Sequence, residues 1–216
     1  MSDLNPAAIT VDRFLRETWL PAVKGSIRST TYSSYEMHVR CYLVPAFGHL
    51  DLQLVTPPAI NAFYGQLLQG WHGRRVLSPS TVRIHATLHR ALRDAVRWEL
   101  ILRNPAGAAD PPRAPRPEIT VWTSAQLRLF LRDPAGDRHY TLWLFYVLTG
   151  VRRGEALALR WSDIDPVAGT AAIRRSLVPV DHRLVFGEPK NRARSAPHRP
   201  GPAAGRRIWA STGVVT

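Results

Sequence analysis

The chain has 216 residues, enough for one large or two small domains that each bury a core, and its 29 Lys and Arg against 16 Asp and Glu give a formal net charge of +13. That excess favours a polyanionic partner, most simply nucleic acid, over a basic protein that is merely soluble. A single cysteine, Cys41, excludes an internal disulfide and a zinc-type cluster, no apolar stretch is long enough to span a bilayer, and the N-terminus lacks a signal peptide, so the expected location is the cytoplasm.

Residues 1–8 read as a loose lead-in. From Thr10, an N-cap candidate, Val11, Phe14, Leu15, Thr18 and Trp19 keep helical spacing until Pro21 and Gly25. Ser29-Thr30-Thr31 is expected to cap a second helix with Tyr32, Tyr35, Val39, Tyr42 and Leu43 on one side, closed by Pro45 and Gly48. Thr56-Pro57-Pro58 starts a third, carrying Ile60, Phe63, Tyr64, Leu67 and Leu68. After a basic loop, Ser78-Pro79-Ser80-Thr81 starts a longer fourth helix that runs to about Leu102. One of its faces is apolar, and the other carries Arg83, Arg90, Arg93 and Arg97. Four helices with short breaks make a small bundle. Its basic face fits the major groove, with the Ser80 and Thr81 hydroxyls meeting phosphates, or it is simply a solvated face. Arg83, His85 and Arg90 meet bases, phosphates or only water.

Residues 105–118 are too rich in proline for helix and read as an extended linker between an N-terminal domain, 1–104, and a second domain, 119–194. Thr123 with Gln126 fits a capping box ahead of Leu127, Phe130 and Leu131. After a turn at 133–137 an apolar helix runs to Thr149. Thr170 to Val180 and Leu184 to Phe186 read as strands of a hairpin, with Pro179 to Arg183 between them.

The stretch Thr149-Gly150-Val151-Arg152-Arg153-Gly154-Glu155-Ala156 breaks that apolar run and resumes as a helical turn at Gly154. Arg152 then sits at a corner, and a planar, always-charged fork held there suits a phosphate. Glu155, in the first turn of the new helix, is placed to orient an Arg. Taken alone, the string also reads as a surface loop before a capped helix.

Extended through Leu159-Arg160-Trp161-Ser162-Asp163-Ile164-Asp165, the string resembles the first catalytic-arginine box of the tyrosine recombinases, the phage-integrase family. The resemblance implies that Arg152, not Arg153, grips the scissile DNA phosphate. It covers roughly residues 9–194. Thr31 to Tyr35, Val55-Thr56-Pro57, Leu77 to Arg83 and Asn104-Pro105 are similar, in that order, to the family's SAM-like core-binding domain, which puts Thr31 and Tyr35 with Ser80, Thr81, Arg83, His85 and Arg90 among the DNA-binding candidates. The implied fold is mainly α, a four-helix core-binding domain plus part of an α+β catalytic domain with a small antiparallel sheet. The two lobes are expected to clamp duplex DNA, and full-length relatives work as tetramers on paired sites with no metal or nucleotide cofactor.

Lys190, in Gly187-Glu188-Pro189-Lys190-Asn191, occupies the place where the family's hairpin carries the lysine that protonates the leaving 5′ oxygen; Asn191 stands where Thr is commoner. Otherwise it is a basic turn touching backbone phosphate. The family's chemistry further needs a nucleophilic tyrosine and a His-x-x-Arg box. The last tyrosine here is Tyr146, and no arginine follows His198 at that spacing. Residues 195–216 hold no acidic residue and no apolar period, so the reading is a disordered tail; a frameshift near Arg194 is one account of it, and an old truncation or a native ending is the other. The expected activity is therefore that of a site-specific recombinase remnant that cannot cut DNA; the alternative is a non-catalytic, sequence-specific DNA-binding protein.

Overall fold

A computed structural model describes residues 9–73, 78–113, 118–132, 137–180, 183–189 and 197–198. The chain divides into two compact units, Met1–Glu118 and Ile119–Thr216. The described residues are mainly helical, with two small antiparallel sheets. Among them no helix is long and apolar enough to cross a membrane.

In the first unit the Thr10 hydroxyl accepts the Arg13 N–H at 3.3 Å and opens the first helix. The backbone stays helical through α1 (Val11–Arg13), a π-helical stretch (Phe14–Trp19) and α2 (Leu20–Lys24). The expected end at Pro21 is not there. A proline inside an α-helix clashes with the carbonyl four residues back. Here the Leu20 N–H bonds to the Leu15 carbonyl, five back, so the turn widens just ahead of the ring and the helix continues to Gly25. The device recurs: α3 (Ser29–His38), a second π-helical stretch (Val39–Leu43) and α4 (Val44–Phe47) run on past Pro45, with the Val44 N–H on the Val39 carbonyl. Nor do the hydroxyls of Ser29 to Thr31 cap α3; its N-cap residue is Arg28, with no side-chain hydrogen bond.

Thr56 caps α5 (Pro57–Gln69), accepting the Ala59 N–H at 3.4 Å, while Leu68, expected on its buried face, is 39% exposed. α6 (Ser78–Arg97) stops short of Leu102, because Glu99 takes a left-handed φ of 61° that an α-helix cannot continue. These helices enclose Phe14, Leu15, Trp19, Leu43, Ile60, Leu67, Ile84, Leu88 and Leu92. Cys41 is half-buried and free, and packs against that core. The start of the proline-rich stretch belongs to the same core. Asn104 caps a 3-10 turn (Pro105–Ala108), Ala106 and Ala109 are buried, and the Asp110 N–H donates to Asn61 Oδ1 at 2.8 Å.

The second unit opens with the capping box: the Gln126 N–H donates to Thr123 Oγ1 at 3.3 Å, and the Thr123 N–H to Gln126 Oε1 at 2.8 Å, ahead of α7 (Ser124–Phe130). Next come α8 (Tyr140–Thr149), the single turn α9 (Arg153–Ala156) and a 3-10 turn (Trp161–Asp163). β1 (Ile164–Asp165) and β2 (Thr170–Ala172) pair in one sheet, β3 (Ser176–Val180) and β4 (Arg183–Gly187) in the other. The strand expected from Thr170 to Val180 is thus two strands. Between them Arg174 and Arg175 form ion pairs with the buried Asp163, pulling the chain from one sheet to the next. The hairpin turn is tighter than expected, since Pro179 pairs with Leu184 and Val180 with Arg183. Part of the stretch read as a disordered tail is ordered: β5 (Pro197–His198) adds to β2, with Ala171 opposite His198. The other residues of that stretch lie outside those described.

Gly154 couples α9 to β3. A Cβ on it would stand 2.5 Å from the Leu177 carbonyl oxygen and 2.8 Å from Ser176 Oγ. The carbonyl belongs to a paired strand and cannot swing away. Gly154→Ala is expected to destabilise the second unit by ~1–3 kcal/mol, the usual range for overpacking. An unchanged unfolding midpoint would show that β3 yields.

Candidate nucleic-acid interface

In the first unit the candidates converge on α6, and its periodicity sorts them. Arg83, Arg93 and Arg97 are exposed and Arg90 is half-buried, so a strip of guanidinia follows one face of the helix. Ser80 is half-buried. Thr81 is 0% exposed, which corrects its place among the DNA contacts: its hydroxyl lies inside the bundle. His85 is half-buried, and its Nδ1 shares a 2.5 Å hydrogen bond with the Tyr64 hydroxyl on α5. On α3, Thr31 is half-buried, and Tyr35 stacks on Trp19 with ring centroids 5.3 Å apart. Tyr35 therefore faces the core with its ring.

Beneath the strip lies a residue that the sequence reading passed over. Asp94 is 3% exposed and accepts the Trp19 Nε1–H at 2.9 Å. It is the only acid in α6, and that isolation among arginines was the available signal.

Two histidines make this unit sensitive to acid. The Thr87 hydroxyl donates to the Arg83 carbonyl at 3.1 Å, so His38 Nδ1–H donates to Thr87 Oγ1 at 2.8 Å. Burial holds His38 below the ordinary imidazole range, and Arg83 adds to the effect. Burial, then the neighbouring His89, does the same to His85. With both folded pKa values below 6.5, the unfolded chain takes up these protons first as pH falls. The contribution is complete above the unfolded pKa and is lost as pH drops from there through the folded values. The urea midpoint of the first unit should therefore be lower at pH 5.5 than at pH 7.5. A His38→Asn, His85→Asn double variant should flatten that difference; if it does not, other groups carry it.

In the second unit α8 ends as Thr149 donates its hydroxyl to the Phe145 carbonyl at 2.5 Å. Gly150 then takes φ 62°, its N–H on the Tyr146 carbonyl at 2.8 Å. This C-cap redirects the chain, and Arg152 becomes the N-cap residue of α9. Glu155, only 1% exposed, holds Arg152 twice: one carboxylate oxygen accepts its backbone N–H and the other its Nη1–H, both at 3.0 Å. The Arg152 side chain is 45% exposed. A guanidinium carries five N–H donors, so the fork keeps donors for an oxyanion after Glu155 has fixed its orientation.

Asp163 supports the same segment. It accepts the Arg160 N–H at 3.0 Å and pairs with Arg175. Burial alone would raise its pKa, but the Arg160 N–H and the Arg175 guanidinium together hold it below the usual carboxylate range. The hairpin β3–β4 delivers the chain through Pro189 toward Lys190, which lies outside the described residues. Tyr146 points its hydroxyl at the Arg153 carbonyl, 3.3 Å away. Among the described residues no group of three or more His, Cys, Asp or Glu side chains is arranged to hold a metal ion.

A family model described as "Phage integrase, N-terminal SAM-like domain" matches residues 13–68. The chain is similar to an integrase of Saccharopolyspora erythraea, 26% identical over 172 residues that are 78% of this chain and 38% of the relative. It is also similar to the ICEBs1 integrase of Bacillus subtilis (strain 168), 24% identical over 163 residues, 74% of this chain and 43% of the relative. It thus spans less than half the length of these relatives. Among solved structures, the Tn1549 transposon integrase in complex with circular intermediate DNA matches with a TM-score of 0.75 at 17% identity, over 96% of this chain and 66% of that one. Lambda integrase, solved as a tetramer bound to a Holliday junction, matches with a TM-score of 0.63 at 17% identity, over 95% and 55%. At such identities the likeness shows the fold.

Proposed function

We propose that this chain, a member of the tyrosine recombinase (phage integrase) family, binds double-stranded DNA at a site of integration or excision and grips the scissile phosphate with Arg152. The observation that carries this reading is the double hold of buried Glu155 on Arg152, which leaves a charged fork oriented and still half-exposed. Such a fork stabilises the charge that develops on phosphate oxygens during transesterification. Lys190 is the residue proposed to give its proton to the leaving 5′ oxygen, and its flexible ammonium stem suits that task. The exposed Arg83, Arg93 and Arg97, with Arg90, supply the phosphate and groove contacts of the first unit. Assembly as a tetramer, the state in which lambda integrase was solved on a Holliday junction, is the arrangement this reading implies.

For the 216-residue polypeptide itself the proposal is binding without strand cleavage. Within these 216 residues the last tyrosine, Tyr146, donates to a main-chain carbonyl in the Arg152 turn, and none of them forms a His-x-x-Arg box after Lys190. The alternative reading, a DNA-binding protein with no catalytic role, draws on the α6 strip alone.

The test is binding of the full chain to duplex DNA across a salt series, with the reaction then run on a denaturing gel. Affinity should fall steeply as salt rises, the log–log slope steepening by about 0.9 for each phosphate contacted. No covalent protein–DNA band should form. Binding that ignores salt would overturn the DNA reading, and a covalent band would overturn the claim of no cleavage. Arg152→Ala separates the two readings only weakly, since each predicts some phosphate contact.

A further inference from the structure

The arginine strip of α6 is tied from below, and one carboxylate makes the tie. The Asp94 side chain is 5% exposed. Its Oδ2 accepts the Trp19 Nε1–H at 2.9 Å. Its Oδ1 lies 3.3 Å from Arg97 Nη2, and its Oδ2 3.9 Å from Arg90 Nε, which is buried and finds no hydrogen-bond partner. Trp19 is fully buried and stacked on Tyr35 from α3, so the carboxylate has little room to move. Arg90 precedes Asp94 by four residues and Arg97 follows it by three, which places all three side chains on one side of the helix. The guanidinium-bearing side chains remain 35% and 68% exposed.

A carboxylate is a poor choice here if its task is only to accept the Trp19 N–H. An uncharged amide oxygen would serve the indole as well, whereas a negative charge opposes the phosphates that the strip is proposed to meet. What the charge adds is a hold on two long, otherwise rotatable cations. Arginines that are already ordered lose less freedom on binding, and fixed spacing lets them prefer one arrangement of base edges and phosphates over another. We propose that Asp94 is a positioning residue for DNA recognition: it fixes Arg90 and Arg97 on the α6 strip, giving up part of the general attraction to DNA in return for sequence preference. This inference rests on the DNA-binding reading above.

The experiment uses the full chain. A pool of random 30-base-pair duplexes is selected with the wild type, and affinity is then compared for the enriched duplex and a scrambled duplex of equal composition. Asp94→Asn keeps an acceptor for Trp19 and removes the charge. Its affinity for the scrambled duplex should hold or rise, while its preference for the enriched duplex should fall by about tenfold, the scale of one misplaced base contact. A purely structural Asp94 predicts the opposite pattern in a folded variant, with tighter binding to both duplexes and the preference intact, and that result overturns the inference. A second measurement does not depend on the variant folding: 15N relaxation of the arginine Nε–H groups in the wild type. Arg90 and Arg97 should be rigid on the nanosecond scale relative to Arg93, and equal mobility of all three overturns the inference. A wild type that binds neither duplex overturns the DNA-binding reading itself, which is distinct from a wild type whose preference survives Asp94→Asn.

Discussion

Trp19→Ala is expected to lower the stability of the first unit by ~3–5 kcal/mol, the range for emptying a large aromatic site in a core. The indole is fully buried, stacks on Tyr35 and donates to the buried Asp94 carboxylate. Alanine removes the packing and takes away a charge-assisted hydrogen bond, leaving Asp94 with the arginines alone. For a domain of this size each kcal/mol moves the melting midpoint by about 4–8 °C. Calorimetry should therefore show the transition of this unit falling by at least about 12 °C, while the transition of the second unit stays in place. A fall of less than about 5 °C would mean that the bundle collapses into the space, and the central place given to Trp19 would be wrong.

Glu155→Ala should have a large effect in the other unit, comparable to that of Gly154→Ala. Glu155 is buried at 1% exposure, with one oxygen on the Arg152 N–H and the other on Arg152 Nη1–H. Breaking a fully buried ion pair commonly costs about 3–5 kcal/mol because a charge is stranded. The Arg152 side chain is 45% exposed, so its guanidinium can turn to water once released, and the expectation falls to ~2 kcal/mol. Most of that comes from the lost cap on the Arg152 N–H and from the space left by the side chain. Glu155→Gln keeps one acceptor for the N–H and should recover about half. Denaturant midpoints of the three proteins would order wild type, Gln, Ala. If Gln proved as damaging as Ala, the charge rather than the cap would be the dominant part.

The features legible in the sequence were those written in a few neighbouring residues. Thr56 before Pro57, Thr123 with Gln126, and the Thr149-Gly150 break each carry their own hydrogen bonds within a turn, and each stands where it was read. Glu155 as the partner of Arg152 was legible for the same reason, at a separation of three residues. What escaped depends on contacts far along the chain. The bond from Trp19 to Asp94 spans 75 positions, and no local pattern announces it. The break after Ala172 follows from ion pairs between Asp163 and the two arginines that follow Ile173, and strand propensity ignores them. Thr81 was misplaced because a hydroxyl near a helix start looks the same in sequence whether it faces solvent or the bundle. The hydrogen bond of His85 was not legible either, because Tyr64, its partner, lies on another helix.

The widened turns ahead of Pro21 and Pro45 have a cause in the apolar residues themselves. Val11, Leu15, Trp19 and Val23 recur at every fourth position, and all four are buried. An α-helix turns about 100° per residue, so a four-residue ladder drifts by roughly 40° at each rung. By the fourth rung the side chain has swung roughly a third of the way around the axis. Bonding to the fifth residue back puts more residues into a turn and cancels the drift. Tyr35, Val39, Leu43 and Phe47 form a second ladder of the same pitch around the other widened turn, and the two ladders touch where Trp19 stacks on Tyr35. A straight α-helix in either place would carry Val23 or Phe47 toward solvent. The rungs thus select the wide turn, and the prolines occupy positions that the ladders have already made safe for them.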